Sequence, residues 1–261
     1  MAERAVPGTM LWNYCHADHL ARYMFAGEHV KGKVVLDVGT GPGYGAWILL
    51  KAGASSVQAI DRDQATLRAA QAAYGCEGLT FTVDDAQTLA DTQGPVDVIC
   101  SFENIEHLPR PQDFLGSAAR KLKPSGVLFC STPDRATTPA FQNGKPANSF
   151  HEMEWYRDEF REMLTPFFAD VELRVQIRSL QLVCRQQANG ALKEHLAYLW
   201  ATPSVRIARW LGGLLGKPTI WPDIEGLATP SMADYPIVDS DQVPLLGVSF
   251  CHFAICRNPR S

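Results

Sequence analysis

The chain has no apolar run approaching the roughly 20 residues that a membrane-spanning helix needs. It has no CxxC pair, and its seven cysteines are an odd number, so a disulfide framework is not expected. Cys100, Cys130, Cys251 and Cys256 sit in apolar, strand-like runs, where reduced buried thiols are the expectation. Basic excess is missing too. The formal net charge of −4 argues against broad electrostatic binding to duplex nucleic acid. The opening residues, Met-Ala-Glu-Arg-Ala-Val-Pro, lack the basic start and apolar stretch of a secretory leader. Together these absences predict a cytoplasmic protein of a reducing compartment, without a nucleic-acid partner.

What is present is ample material for a core. Hydrophobic residues make up 46% of 261 positions and charged ones 20%, which excludes an intrinsically disordered chain. Strand-like and helix-like stretches alternate. Lys33–Asp37, Val57–Ile60, Leu79–Val83, Val96–Ser101 and Val127–Ser131 read as strands. Tyr44–Ala52, Gln64–Ala73 and Asp113–Leu122 read as helices between them, and Cys15–Ala26 as a helix before the first strand. That spacing implies βαβ crossovers and a mostly parallel, doubly wound sheet. Lys123-Pro-Ser-Gly126 reads as the turn that starts the fifth strand. After residue 150 the pattern changes: a helix at Arg157–Leu164, one or two strands in Val171–Val183, and a final strand at Gly247–Cys256.

The most informative motif is Asp37-Val-Gly39-Thr40-Gly41-Pro-Gly43-Tyr-Gly45, directly after the first strand. Glycines there let the backbone turn tightly and approach a ligand at a helix N-terminus. Dinucleotide-binding dehydrogenases use such loops as well. From Gly39 their spacing would need glycine where Tyr44 stands, whereas from Gly41 a variant ending in alanine fits through Ala46, so that option stays open. No Gly-Lys-Ser/Thr follows, which excludes a Walker loop. Asp61 ends the second strand, and Asp84-Asp85-Ala86 ends the third.

These three anchors resemble those of class I S-adenosylmethionine (SAM) methyltransferases. Arg4-x-x-Pro7-Gly8-Thr9, His19-Leu-Ala-Arg22-Tyr23, Ser101-Phe-Glu-Asn-Ile-Glu-His107-Leu, Ser131-Thr-Pro-Asp134 and Phe150-His151-x-x-Glu154-Trp155 narrow the resemblance. They are similar to the bacterial type 11 subgroup associated with sugar and polysaccharide biosynthesis. The resemblance implies an α/β, Rossmann-like fold with a seven-stranded, mostly parallel sheet in the order 3-2-1-4-5-7-6. It implies one domain over 1–261, with an N-terminal cap helix region at 1–30 and a helical, substrate-binding insertion at 186–243 before the last strand. It also implies that Asp37 and the Gly39 and Gly41 backbone hold the methionine end of the cofactor. Asp61 would take the ribose, and Asp85 with Ala86 the adenine. Thr40, Gly43, Arg62 and Phe102 would line the same pocket, with Arg22 or Tyr23 closing over the cofactor carboxylate.

Methyl transfer from a sulfonium is an in-line displacement in which positioning supplies much of the catalysis. A hydroxyl acceptor also benefits from a base. His107 follows the fourth strand and has a near-neutral unperturbed pKa, so it is the candidate base, with the neighbouring Glu103 and Glu106 orienting its ring and His151 as a second polar contact to the acceptor. No metal is expected. The alternative is a Mg²⁺ or Mn²⁺ site on Glu103, Glu106, His107 and His151, a set that resembles the metal site of small-RNA 2′-O-methyltransferases.

Residues 173–218 carry seven Lys/Arg against one acid, and residues 223–241 carry five acids and no base. The stretch Val205–Leu215 combines Arg206, Arg209 and Trp210 with leucines. It reads either as a lid over an anionic or sugar-linked small-molecule acceptor or as a weak membrane-surface contact by a 204–216 helix. The expected function is O-methylation of a sugar, sugar nucleotide or glycan precursor. N-methylation of an amino sugar or other small metabolite, and a non-catalytic SAM-binding regulatory or partner subunit, are the alternatives. The oligomeric state is open.

Overall fold

The run Val34–Val38 (β1) is β-branched at three of five positions, which suits a strand buried on both faces. Its consecutive residues Val35 and Leu36 belong to opposite hydrophobic clusters, so apolar layers cover both sides of the sheet. This architecture is that of a computed structural model describing residues 10–137, 146, 148–179, 232–239 and 247–260. Around β1 lie Ser56–Asp61 (β2), Leu79–Val83 (β3), Val96–Phe102 (β4) and Leu122–Pro133 (β5), all parallel. The crossovers are Tyr44–Lys51 (α2), Gln64–Tyr74 (α3) and Pro111–Lys121 (α4). Asp63 caps α3 by accepting the Ala65 and Thr66 amides, a contact worth about 1 kcal/mol. The first helix, Met10–Gly27 (α1), precedes β1.

The far side of the sheet holds Phe168–Ser179 (β6), Ile237–Asp239 (β7) and Gly247–Pro259 (β8), with Arg157–Leu164 (α5) before them. The strand order is β3-β2-β1-β4-β5-β8-β6-β7. The α/β class and mostly parallel sheet match the expectation, but eight strands are present where seven were expected. The eighth is β7, an edge strand paired antiparallel with β6 through Arg174–Gln176. The last strand, β8, runs antiparallel between β5 and β6 as anticipated.

The Lys123-Pro-Ser-Gly126 turn is corrected in a similar way. β5 already begins at Leu122, and the irregularity survives as a shift in register. Leu122 faces Val96 while Val127 faces Val98, so β5 uses five residues where β4 uses two. Most of the 186–243 insertion, including the 204–216 stretch, lies outside the described residues; its return leg, Met232–Asp239, packs against α1 and β6. No helix among the described residues is long and apolar enough to cross a membrane.

Candidate active site

Parallel strands end together at one edge of the sheet, and the crevice outside their carboxyl ends is where open α/β sheets bind ligands. Asp37 near the end of β1, Asp61 at the end of β2 and the Asp84–Ala86 segment after β3 all meet there. Gly41 has φ +52°, with open space where a Cβ would project, so the loop presents bare backbone to the crevice. Asp61 is buried, and it accepts the Gly41 amide at 3.1 Å and the Asp63 amide at 2.9 Å. One carboxylate therefore ties the glycine loop to the second strand. The two acids after β3 divide their work. Asp84 is buried and accepts the amides of Asp85, Ala90 and Asp91 and the Thr92 hydroxyl, which makes it a loop organiser. Asp85 is exposed at the crevice, with Ala86 half-buried beside it.

The N-terminal helix supplies the other wall. Tyr23 is buried and donates its hydroxyl to Asp37, 3.1 Å and 3.3 Å from the two carboxylate oxygens. A Cβ on Gly45 would stand 2.0 Å from the Tyr23 ring, so only glycine admits the ring at this crossing. Phe102 meets Tyr23 edge-to-face at 5.0 Å. Burial raises the Asp37 carboxyl to about 6, against the opposing effect of the nearby Thr40 and Tyr23 hydroxyls.

Arg22 is held by partners within the chain. Fully buried, it pairs with Glu103 at 3.3 Å and Asp18 at 3.2 Å, and donates Nε to Gln176 at 2.7 Å. Glu103 sits at φ +49°, a left-handed backbone unusual outside glycine and most often kept at functional positions. Its Oε1 accepts the Ser131 hydroxyl at 2.9 Å and the Cys251 thiol at 3.4 Å. Burial alone would raise this carboxyl; Arg22, His19 and the two donors reverse that and hold it below the usual range.

Two residues on, a short 3-10 turn at Ile105–His107 delivers a second cluster. His107 donates Nδ1–H to the Phe150 carbonyl at 2.9 Å. His151 lies edge-to-face with it at 4.9 Å. It bonds Glu154 through Nδ1 at 2.7 Å and faces the Asn148 amide through Nε2 at 2.9 Å. The Asn148 oxygen already accepts the Phe150 amide, so its NH₂ faces His151 and occupies the Nε2 lone pair. Glu106 is 1% exposed and neither carboxylate oxygen has a well-formed hydrogen bond. Burial, then the charge of Glu103, push its carboxyl well above the usual range. Ligand atoms of Glu106, His107 and His151 lie within 4.8 Å of one another.

The expected grouping therefore needs two corrections. Neither Glu103 nor Glu106 hydrogen-bonds His107, and the cluster of Glu106, His107 and His151 does not include Glu103. Its left-handed backbone turns it toward Arg22 and Ser131, and the Phe150 carbonyl holds the imidazole instead. Sequence reasoning also missed Asn148 and Glu154 as partners of His151. The i, i+3 spacing of each to His151 was the available signal.

A family profile described as methyltransferase domain matches residues 13–187. The chain belongs to this methyltransferase family. A probable S-adenosylmethionine-dependent methyltransferase of Mycolicibacterium smegmatis is 33% identical over 172 residues, 65% of each chain. A ubiquinone biosynthesis O-methyltransferase of Caulobacter vibrioides is 34% identical over 108 residues, 40% of this chain and 42% of that one. The chain thus spans less than two thirds of the length of these curated relatives. In fold, the Haemonchus contortus phosphoethanolamine N-methyltransferase 2 solved with S-adenosyl-L-methionine covers 98% of this chain and 54% of its own. Its TM-score is 0.60 at 16% identity, a likeness of fold alone.

Such methyltransferases use SAM as methyl donor, and the crevice fits it on its own chemistry. A buried carboxyl driven up to about 6 is a site that an ammonium group would re-ionise, and the Asp37 position offers one. The open face of Gly41 leaves room for a ligand against the backbone.

Proposed function

We propose that the protein is a SAM-dependent methyltransferase that moves a methyl group to a hydroxyl of a small molecule, a sugar, sugar nucleotide or glycan precursor. The observation that carries the O-methylation reading is the His107–Phe150 hydrogen bond. With Nδ1–H donated to a carbonyl, a neutral imidazole keeps its lone pair on Nε2, which is the form a general base needs. His151 has both ring nitrogens engaged and serves to shape the site beside that base.

Asp37, with Thr40 and the loop around Gly39, Gly41 and Gly43, would hold the methionine end of the donor. Asp61 and Arg62 would take the ribose, and Asp85 with Ala86 the adenine. Tyr23 and Phe102, in edge-to-face contact, would wall the pocket. SAM supplies the electrophilic methyl and leaves as a neutral thioether. The chain's task is to align the acceptor oxygen, exclude water and accept one proton at His107 Nε2. Glu103, held below the usual carboxylate range by Arg22, would be a fixed negative charge beside the transfer path, just after β4.

A metal-assisted version has its own support in the convergence of Glu106, His107 and His151 and the unsatisfied carboxyl of Glu106. There a Mg²⁺ or Mn²⁺ ion would acidify the acceptor hydroxyl. The test is an S-adenosylhomocysteine-release screen over three acceptor panels: sugar nucleotides and glycosides, phenols, and amino sugars. Turnover confined to amines overturns O-methylation, and turnover confined to phenols overturns the sugar assignment. SAM binding without turnover on any panel favours a non-catalytic SAM-binding subunit.

A further inference from the structure

Gln176 is the fully buried member of the alternating polar positions Asp170, Glu172, Arg174, Gln176 and Arg178. It lies on β6, is fully buried, and has no direct contact with the crevice residues Asp37 or Asp61. The strand is irregular at this point: Gln176 faces Cys251 of β8, while its neighbour Ile177 faces Ser249, so the ladder passes over Phe250. A bulge re-aims side chains, and this one accompanies a glutamine directed at the N-terminal helix. Its oxygen accepts Arg22 Nε at 2.7 Å. Its NH₂ donates to the Asp18 carbonyl at 3.0 Å and the Tyr235 carbonyl at 3.2 Å. The amide orientation is unambiguous, because arginine only donates and carbonyls only accept.

Those three bonds join parts of the chain that are far apart in sequence. Asp18 and Arg22 belong to α1, and the next residue, Tyr23, holds both oxygens of Asp37. Arg22 also reaches Glu103 at the end of β4. Tyr235 is on the return leg of the insertion, 2% exposed against the Ala17 and Ala21 face of α1. A helix whose tyrosine holds the Asp37 carboxyl needs its rotation fixed, since a small turn about its axis would lift the Tyr23 hydroxyl off Asp37.

We propose that Gln176 is a positioning residue of the cofactor site: through Arg22 it fixes the rotation of α1 and thereby the Tyr23–Asp37 contact, and it couples that contact to the docked return leg of the insertion. This rests on the reading of the crevice as a SAM site. Burying a fully hydrogen-bonded amide at this depth has no advantage over an apolar side chain for stability alone. The geometry gives it work in orientation.

S-adenosylhomocysteine (SAH) binding to the full chain, measured by calorimetry, tests the proposal without any acceptor. Gln176→Met should weaken SAH binding by about 10-fold, the reach of one or two hydrogen bonds lost at a distance. Tyr23→Phe should weaken it as well. The double variant should be no weaker than the poorer single one, because both changes break the same chain of contacts. Independent losses that multiply in the double variant would mark Gln176 as a general fold support and overturn the proposal. So would a Gln176→Met protein that melts earlier yet binds SAH as the parent does. If Gln176→Met does not fold, Arg22→Lys carries the same test. It keeps a positive charge for Glu103 but loses the Nε donor, and unchanged SAH affinity there overturns the proposal too. A parent protein that binds no SAH overturns the SAM assignment itself and this inference with it.

Discussion

The Nδ1 of His107 stands 2.9 Å from the carbonyl oxygen of Phe150. That bond joins the turn after β4 to the segment after β5. It is reinforced by the Glu106 carbonyl, which accepts the amides of Glu152 (2.8 Å) and Met153 (3.4 Å). The same segment is fixed from below. Trp155 is buried, its carbonyl accepts the Arg135 amide and lies 3.2 Å from His252 Nε2, and His252 also reaches Asp134 at 3.3 Å. The base candidate is therefore oriented by backbone that is itself anchored to β5 and β8, a rigid support for a group that must meet an acceptor proton.

Asp61→Ala should weaken both SAM and SAH. The carboxylate is buried and already holds the Gly41 amide, so its removal loosens the glycine loop as well as deleting the proposed ribose partner. A charge-assisted hydrogen bond of this kind is worth about 1.5–3 kcal/mol, roughly a 10- to 100-fold rise in Kd. Calorimetry in which NADH binds tightly and SAM does not would overturn the cofactor assignment.

Asp37 sets a pH dependence with two opposite signs. Its carboxyl titrates at about 6 in the folded protein against an ordinary 3.8, because burial penalises its charge. The folded chain thus holds this proton more tightly than the unfolded one. The stability it gains is full below pH 3.8 and is lost as pH rises through about 6, a swing on the order of 2–3 kcal/mol. Cofactor-free Asp37→Asn should accordingly melt higher than the parent at pH 7.5 and lose that advantage at pH 4.5. SAH affinity runs the other way. An ammonium partner needs the carboxylate, so the parent should bind more weakly as pH falls below about 6, and Asp37→Asn should bind weakly at every pH. Melting curves at the two pH values and calorimetry between them check both arms; a parent whose SAH affinity is flat across this range contradicts the assignment.

The insertion should govern acceptor choice and leave cofactor affinity nearly untouched. Its return leg is part of the fold: Tyr235 is buried, and β7 extends the sheet at β6. A deletion must therefore spare residues from 232 onward. Removal of 190–230, closed by a short Gly/Ser linker, should retain SAH binding and abolish turnover on the acceptor found by the release screen. Normal methylation by the deleted protein would show that the acceptor is read elsewhere.

How much of this was legible in sequence depends on the range of the interaction. Asp37 and Asp61 could be placed because each stands at or next to the end of a strand whose position follows from the local strand–turn–helix rhythm. Tyr23 was anticipated as a contact to the cofactor carboxylate, and the partner its hydroxyl has within the chain is Asp37. Glu103 was misplaced because its neighbourhood is non-local: a left-handed backbone angle and an arginine on α1 decide its direction, and neither leaves a trace in spacing. The third strand of the far edge, Ile237–Asp239, is too short for a period-2 signal and follows Pro236, so pairing with β6 alone makes it a strand. Gln176 was invisible for the same reason, since its three partners come from Asp18, Arg22 and Tyr235.

His107 should accept the hydroxyl proton during transfer, and the structure sharpens how that is tested. Phe150 fixes its Nδ1 as a donor, which leaves Nε2 as the basic atom. His107→Ala should lower turnover by roughly 10²- to 10⁴-fold, the usual reach of general-base catalysis, while SAH affinity stays near the parent value. The pH–rate profile should lose its acidic limb, because the limb reports protonation of the base. His151→Ala should cost less, since both of its ring nitrogens are already engaged by Asn148 and Glu154. A metal-assisted site predicts a different pattern. Glu106, His107 and His151 have ligand atoms within 4.8 Å of one another, so variants at all three would fail together. Glu103, turned toward Arg22, would stand apart from that group. Turnover abolished by EDTA and restored by Mg²⁺ or Mn²⁺, with Glu106→Gln as damaging as His107→Ala, would replace the metal-free base with a three-ligand cation site. Turnover indifferent to EDTA, with Glu106→Gln mild and His107→Ala severe, leaves the proton with His107.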